Sequence, residues 1–335
     1  MVYGRVSVVS AVSSKKEKAK QENIFGGQTG NGGLRRILVT GGTGLVGKHF
    51  AARNKNVLVS TRNPTAAKER LGDDIVDAIE WMPSQSAVDL NPNQPIDAIV
   101  NLAGESIAGG RWNAAKKKRI YESRILGTRN LIQSIRGMKQ KPSVLISASA
   151  VGIYGDAGDL EIDETHPSAS GFLGETCRDW ENEARAVEEL GIRLCILRIG
   201  IVMSLQGGAL VEMLPVFKSG FAGRLGAGRQ YFPWIHIDDL VSMIRWAIDN
   251  ETASGVFNAT SPNPVTNREY TRQLATQLNR PAFLPAPKFA LRAVLGEFAN
   301  SLFDSQRVVP KAAMKDGFKF QFNELDECLA DLFQQ

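Results

Sequence analysis

Three regularly spaced glycines are the residues of this sequence with the clearest chemical use. Gly41, Gly44 and Gly47 follow the apolar run 37–39 and open a stretch of helical period at about 45–53. Glycines placed in this way let the chain turn tightly, bring backbone amides to a pyrophosphate and pack a helix on a strand. The amides at the helix N-terminus then face the phosphates. The pattern predicts a dinucleotide-binding loop that also contains Thr43, Leu45 and Val46.

The residues after the second predicted strand indicate which dinucleotide is bound. An acid near this point would bind the ribose 2′-hydroxyl of NAD, but no acid lies between Val57 and Lys68. The sequence has Thr61 and Arg62 there instead, and a guanidinium pairs well with a 2′-phosphate. An exposed loop arginine is the alternative. We therefore predict NADP(H) rather than NAD(H), although the short first helix leaves the position of Arg62 less defined.

These residues need a sheet to position them, and the pattern around them supplies one. Apolar runs at 37–39, 57–60, 98–102, 144–147 and 193–198 alternate with longer segments of helical period at 113–137 and 173–190. This alternation predicts an α/β fold of the Rossmann type, with a doubly wound parallel sheet. Residues 35–280 would form this domain, with a smaller α/β substrate region mainly at 201–235 and 255–280. Residues 281–335, opened by several prolines, would form a small helical C-terminal domain.

Charge and composition limit the partners. The net charge is +5, and residues 1–36 alone carry seven basic and two acidic side chains, so the rest of the chain is neutral. Nucleic-acid binding therefore loses its electrostatic support. The three cysteines and three histidines are scattered, which favours a reducing compartment and predicts no metal site. No apolar run is long enough to span a membrane.

The first 34 residues read as a disordered leader rich in Ser, Lys and Gly. A soluble cytoplasmic protein with a solvated tail is one interpretation. A transit segment is the alternative, since acids are absent before Glu17, and it would direct the chain to the plastid stroma or the mitochondrial matrix.

Several further segments carry a resemblance to a known family. The loop 40–47, Asn101-Leu102-Ala103-Gly104, Ser147-Ala148-Ser149-Ala150 and the segment 234–240 together resemble the extended short-chain dehydrogenase/reductases. Segments 105–107, 110–112, 177–181 and 228–230 are similar to an atypical branch known as epimerase family proteins, which is YfcH-like and has a small C-terminal domain. The resemblance covers nearly everything from Arg35 onward.

The resemblance implies roles for further residues. Leu102, Ala103 and Gly104 would line the path of the cofactor, and Val202 would approach the nicotinamide. Arg119 and Arg124, on the predicted helix 113–137, would lie near the phosphates; a solvated helix face is the alternative for both.

One feature of that family is missing from the sequence. Short-chain dehydrogenases normally use a tyrosine and a lysine four residues later as a proton relay. No tyrosine here is followed by lysine at that spacing, and Phe172 and Thr176 stand in the matching positions. Ser149 matches the serine that polarises the substrate. Tyr154 is the candidate replacement acid, with Glu175, Asp179 and His236 as others, although His236 could instead orient the start of a helix.

Two functions remain open on the sequence. The first is an NADP(H)-dependent oxidoreductase or epimerase that acts on an unidentified small molecule. The second is a non-catalytic NADPH-binding sensor or scaffold, which the missing tyrosine and lysine favour. The C-terminal piece is a candidate surface for a homodimer or a protein partner.

Overall fold

The structure is a computed structural model that describes residues 35–90 and 95–334. Residues from Arg36 onward form one compact unit. The predicted leader, residues 1–34, lies outside the described residues. Within the described ranges, no helix is both long enough and apolar enough to cross a membrane.

Strands and helices alternate along the chain. The strands are β1 (Ile37–Thr40), β2 (Val57–Thr61), β3 (Asp77–Glu80), β4 (Ala98–Asn101), β5 (Val144–Ala150), β6 (Glu161–Ile162), β7 (Arg193–Ile199), β8 (Ile201–Met203), β9 (Tyr231–Phe232), β10 (Trp234–His236), β11 (Gly255–Ala259), β12 (Val265–Thr266) and β13 (Arg307–Val308). The helices are α1 (Leu45–Arg53), α2 (Pro64–Leu71), α3 (Ala114–Gly137), α4 (Phe172–Arg185), α5 (Ala209–Lys218), α6 (Ile237–Asp249), α7 (Asn267–Gln277), α8 (Lys288–Leu295), α9 (Phe298–Ser301), α10 (Lys311–Lys315) and α11 (Leu325–Gln334).

The main sheet has seven strands in the order β11-β7-β5-β4-β1-β2-β3, and every neighbouring pair is parallel. The chain winds outward from β1 in both directions, so the strand order reverses between β1 and β4. Ligands of open α/β sheets bind outside the carboxyl ends of the strands at such a reversal. The doubly wound Rossmann-type sheet predicted from the sequence is confirmed.

Alternate residues of each strand enter different cores because successive side chains point to opposite faces of a sheet. Ile37 and Val39 pack with α1 and α6 on one face. Leu38 and Ile99 pack with α3 on the other face. Burial on both faces explains why these strands read as continuous apolar runs in the sequence.

Several elements of the fold differ from the expectation. Residues 255–259 were assigned to the substrate region, but they form β11, the seventh strand of the main sheet, because they pair in parallel with β7. Strand β3 and helix α2 were not predicted. Their apolar pattern is weak, since β3 is an edge strand that contains a single buried residue, Ala78.

The C-terminal residues pack into the rest of the molecule. Strand β13 pairs in parallel with β6, which follows β5 by a short connection. Ala313 and Phe318 enter the core on the side of β11, where Phe318 packs on Trp246, and α11 packs beside Trp234 and Tyr270. Residues beyond 281 therefore contribute to the cores that hold the sheet.

Candidate functional site

The glycine loop after β1 has the shape expected for a phosphate-binding turn. Gly41 has a φ of +68°, which favours glycine. A Cβ on Gly41 would lie 2.8 Å from the carbonyl oxygen of Leu102, so the loop and the end of β4 approach as closely as backbone allows. A Cβ on Gly47 would lie 2.5 Å from the Cα of Gly42, so α1 packs directly against the turn.

The N-terminus of α1 is left open toward solvent. Gly44 is the N-cap and is exposed, it supplies no side-chain cap, and the first turn of the helix contains no acid. The first amides of a helix have no partner within the helix, and they carry the positive end of its dipole. This end of α1 is therefore suited to hold an anion, and Leu45 and Val46 provide the amides.

A row of polar side chains across the sheet fixes the neighbouring loop 102–104. Thr40 and Asn101 are in register on β1 and β4, and the Thr40 hydroxyl donates to Oδ1 of Asn101 at 2.7 Å. The same hydroxyl accepts hydrogen bonds from the amides of Leu102 and Ala103. These buried bonds hold Leu102 and Ala103 against the glycine loop.

Basic side chains surround Glu105, just beyond that loop. Lys116 is buried and its Nζ lies 2.8 Å from Oε1 of Glu105, while Nε of Arg119 lies 3.7 Å away. Lys116, Arg119 and Arg62 together hold the pKa of Glu105 below its usual value. Arg62 and Arg119 are exposed, and Thr61 accepts a hydrogen bond from the amide of Asn63. The structure thus brings Arg62 and Arg119 near the same carboxylate, that of Glu105.

Arg124 takes a supporting position. Its guanidinium donates to the carbonyl oxygens of Glu105 and Ile120, and it lies over the ring of Trp180 at 5.1 Å. A Cβ on Gly104 would lie 3.2 Å from its central carbon. Arg124 therefore does not lie on a solvated helix face. Its guanidinium packs against the backbone of residues 104–105 and stabilises it.

Val202 lies across from the glycine loop. A Cβ on Gly208 would lie 3.1 Å from a methyl group of Leu45 and 3.6 Å from the carbonyl oxygen of Val202. Leu45, Val202 and Leu102 pack against the same core. The predicted cofactor residues therefore gather at one edge of the sheet, around the reversal of strand order.

Ser149 and Tyr154, the candidate catalytic residues, belong to a buried network instead of an open cleft. Ser149 is 3% exposed and its hydroxyl donates to Oε1 of Glu181 at 2.7 Å. Tyr154 is 2% exposed, donates to Asn258 at 2.7 Å and accepts from Arg198 at 2.8 Å. Arg198 in turn binds both carboxylate oxygens of Glu181, at 2.9 and 3.0 Å.

The strand register explains this network. Ser149 pairs with Arg198 across β5 and β7, and Arg198 pairs with Asn258 across β7 and β11, so the three side chains form one row. Burial is the main cause that raises the pKa of Tyr154 to about 12. A phenol with this pKa holds its proton firmly, which is poorly suited to proton transfer near neutral pH.

Phe172, which stands at the position of the family's tyrosine, belongs to an aromatic cluster. The ring of Phe172, at the start of α4, meets Trp112 edge-on at 5.4 Å, and Trp112 stacks on Phe298 at 5.2 Å. Nζ of Lys117 lies 5.4 Å from the centroid of Phe172 and forms an ion pair with Glu297. Thr176, in the lysine position, is buried.

The other acid and base candidates have structural partners. Nδ1 of His236 accepts from the amide of Asp238 at 3.0 Å, so His236 caps α6, and burial lowers its pKa to about 3. Asp179 accepts from the hydroxyl of Tyr121, and Glu175 accepts from the amide of Gly171. The alternative interpretation of His236, as a residue that orients a helix start, is confirmed.

Several residues of these sites were not identified from the sequence, among them Lys116, Glu181 and Arg198. Lys116 lies in the run Lys116-Lys117-Lys118-Arg119, which is typical of a solvated helix face, and its burial becomes visible only in the structure. Glu181 and Arg198 are far apart in sequence and meet because α4 packs over β5 and β7. Arg198 is a charged residue inside the apolar run 193–199, and this position was the available signal of a buried ion pair, because buried charges are usually paired.

The sheet order, the glycine turn at its reversal and the open end of α1 define a Rossmann-type dinucleotide-binding fold. A family model described as the NAD dependent epimerase/dehydratase family matches residues 37–260, and a domain of unknown function (DUF1731) matches residues 286–332. The chain belongs to the NAD dependent epimerase/dehydratase family.

Proteins from several organisms are similar to this chain over most of its length. The "Epimerase family protein SDR39U1 homolog, chloroplastic" of Arabidopsis thaliana is 38% identical over 89% of this chain and 86% of its own length. Epimerase family protein YfhF of Bacillus subtilis is 37% identical over 88% of this chain and 97% of its own length. The crystal structure of human epimerase family protein SDR39U1 with NADPH matches with a TM-score of 0.79 and 31% identity, covering 90% of this chain and 99% of that one.

Proposed function

We propose that this chain is an NADP(H)-dependent oxidoreductase or epimerase that acts on a small molecule. The observation that carries the proposal is the combination of the open end of α1 with the basic residues near Glu105. The first feature suits a pyrophosphate, and the second suits the additional phosphate that distinguishes NADP(H) from NAD(H). The NADPH in the human relative supports this choice of cofactor.

Each group of residues would hold a different part of the cofactor. Gly41, Gly44 and Gly47 would hold the pyrophosphate, since each leaves space where a side chain would crowd the turn. Arg62 and Arg119 would hold the 2′-phosphate. Lys116 would assist them indirectly, because it neutralises the nearby carboxylate of Glu105. Leu102, Ala103 and Val202 would line the path toward the nicotinamide.

When bound, NADP(H) would supply a hydride donor or acceptor. What this chain adds is binding and orientation, and alignment of two reacting groups accounts for much of the rate enhancement of such reactions. The apolar wall of Phe172 and Trp112 would exclude water from the substrate. Ser149 and Tyr154 are engaged within the buried network, so we assign neither of them a proton transfer.

An ionisable side chain does lie beside Phe172. The ammonium of Lys117 faces that ring and is held by Glu297. In this position the positive charge of Lys117 would stabilise the negative charge that develops on a substrate oxygen as the hydride arrives.

The test is a spectrophotometric screen of NADPH oxidation over a panel of small aldehydes, ketones and nucleotide-linked sugars. The proposal predicts turnover of at least one compound, and loss of about 100-fold in kcat for Lys117→Gln with unchanged NADPH affinity. Lys118→Gln is the matched control, because Lys118 lies on the same helix and is 74% exposed. Turnover that is equal in both variants would remove Lys117 from the mechanism.

A non-catalytic NADPH-binding sensor or scaffold is the second candidate. The burial of Ser149 and Tyr154 and the aromatic cluster at Phe172 favour it, because the usual proton relay is replaced by packing. This candidate predicts tight NADPH binding with no turnover of any compound in the panel. A single substrate with saturable kinetics would exclude it.

A further inference from the structure

We propose that a cleft outside the cofactor site binds a small ligand with two or more phosphate charges. The cleft lies between helix α7, the loop 219–228 and the segment 279–283, and has a volume of about 700 Å³. That volume lies within the usual range of small-molecule pockets. It shares no lining residue with the glycine loop or with the basic residues near Glu105.

Four arginines line the cleft. Arg268 and Arg272 lie one turn apart on α7, and Arg224 and Arg280 come from the two adjoining segments. None of the four forms an ion pair with a carboxylate of the described part of the chain. Arg224 and Arg268 donate only to backbone carbonyl oxygens, those of Gly226 and Ala227.

The surrounding sequence supplies no counter-charge. Between Glu251 and Glu297 the single acid is Glu269, and the loop 219–230 contains none. Glu269 is turned toward the helix start, where its carboxylate accepts from the amide and the hydroxyl of Thr266 in a capping box. Since no ion pair within the described residues neutralises the four guanidinium groups, their positive charges would attract an anion to the cleft.

The side chains favour phosphate as the anion. Arginine presents planar pairs of N–H donors that match two phosphate oxygens, and several arginines around one site suit more than one phosphate group. Thr271 and Asn279 add neutral hydrogen-bonding groups to the same wall. Phe283 closes one side and is 72% exposed, so an apolar part of a ligand can pack on its ring.

The test is calorimetric titration with inorganic pyrophosphate at fixed ionic strength, with and without saturating NADPH. We expect one site when NADPH is saturating, because the cleft is separate from the cofactor loop. Without NADPH the glycine loop can also take pyrophosphate, so a second site that NADPH abolishes is expected there. The variant Arg268→Gln/Arg272→Gln should weaken pyrophosphate binding at least about tenfold. The variant Arg136→Gln/Arg185→Gln removes two exposed arginines elsewhere and should change the affinity by less than about twofold.

Folding is checked by NADPH affinity, which should be the same in both double variants. Since pyrophosphate is titrated without NADPH as well, the result is readable even if the cofactor proposal fails. Absence of pyrophosphate binding, loss of binding when NADPH is present, or equal weakening in the two double variants would overturn the proposal. Citrate is the comparison anion, and tighter binding of citrate than of pyrophosphate would also contradict a phosphate site.

Discussion

The two halves of the sheet's carboxyl edge use polar residues in opposite ways. At β1, β2 and β4 the backbone amides of the glycine loop face outward, and Arg62 and Arg119 are exposed. At β5, β7 and β11 the polar side chains bind one another, and Ser149, Glu181 and Arg198 are each less than 10% exposed. We call the first half the open edge and the second half the closed edge.

This difference separates ligand binding from structural support. The guanidinium groups of Arg62 and Arg119 at the open edge remain hydrated, so little free energy is needed to present them to an anion. Charges at the closed edge were removed from water, which costs several kcal/mol for each ion unless a partner compensates. The pair of Glu181 and Arg198 therefore acts as a unit, and the comparison predicts that damage at the two edges has different consequences.

The largest expected effect is on stability, at the closed edge. Glu181→Ala leaves the Arg198 guanidinium buried without its carboxylate and should lower the free energy of unfolding by about 3–5 kcal/mol. Urea denaturation measures the change. Glu183→Ala is the control, because it removes an ion pair with the exposed Arg129 and should cost less than about 1 kcal/mol. Similar losses in the two variants would contradict the distinction between the edges.

The next effect is on cofactor affinity, at the open edge. Gly44→Asp places a carboxylate where the pyrophosphate would lie, so NADPH affinity should fall about 100-fold or more while the fold is retained. Aspartate is a good N-cap, so stability should not decrease. Gly44→Ala is the matched control. It introduces the same Cβ, which meets the carbonyl oxygen of Gly41 at 3.2 Å, but no charge, so it should weaken NADPH binding less than Gly44→Asp. Unchanged NADPH affinity in Gly44→Asp would show that the open edge is not the cofactor site.

A smaller effect concerns the selection between the two nicotinamide cofactors. Arg62→Gln should weaken NADPH by about tenfold and leave NADH affinity unchanged, because only NADPH carries the 2′-phosphate. Fluorescence titration with both cofactors measures the ratio. Arg70→Gln, on the neighbouring helix α2, is the control. Equal weakening of NADPH and NADH in Arg62→Gln would assign Arg62 a general electrostatic role only.

The smallest effect is expected for Tyr154→Phe. Loss of the hydroxyl leaves Asn258 without that partner and should cost about 1 kcal/mol of stability, with NADPH affinity unchanged. The folded-state pKa of about 12 lies above the usual value of 10, so the contribution of Tyr154 to stability is complete below pH 10 and is lost as pH rises through 12. Urea denaturation of both proteins between pH 9 and pH 12 should therefore show a shallower decline in the variant.

An activity measurement sharpens the same point. If Tyr154 were the proton donor, Tyr154→Phe would lose about 100-fold in kcat with any substrate found. An unchanged kcat in Tyr154→Phe would agree with a purely structural role of Tyr154 at the closed edge.

The open edge was largely predictable from the sequence, because its determinants are local. Strand β1, the three glycines and α1 are consecutive, and Arg62 follows β2 directly. Strand β11 falls in the segment expected to form the substrate region, because its place in the main sheet depends on pairing with β7, which no local pattern specifies. Lys116 shows the same limit, since burial of one lysine within a basic run depends on how α3 packs beside Glu105.

The closed edge could not be predicted, because its partners are distant in sequence. Ser149, Arg198 and Asn258 meet only through strand register, and Glu181 reaches them from α4. Ser149 was a catalytic candidate because it matches a serine of the family, and Tyr154 because it follows the same predicted strand. Their roles depend on which way the side chains point and what they bind, and these are set by tertiary packing.

The central claim is that the open edge holds a dinucleotide and prefers the phosphorylated one. Calorimetric titration of the purified chain with NADPH and with NADH tests it directly. We predict one NADPH site per chain and at least about tenfold weaker binding of NADH. Absence of heat with both cofactors, in a protein that is folded by circular dichroism, would contradict the claim.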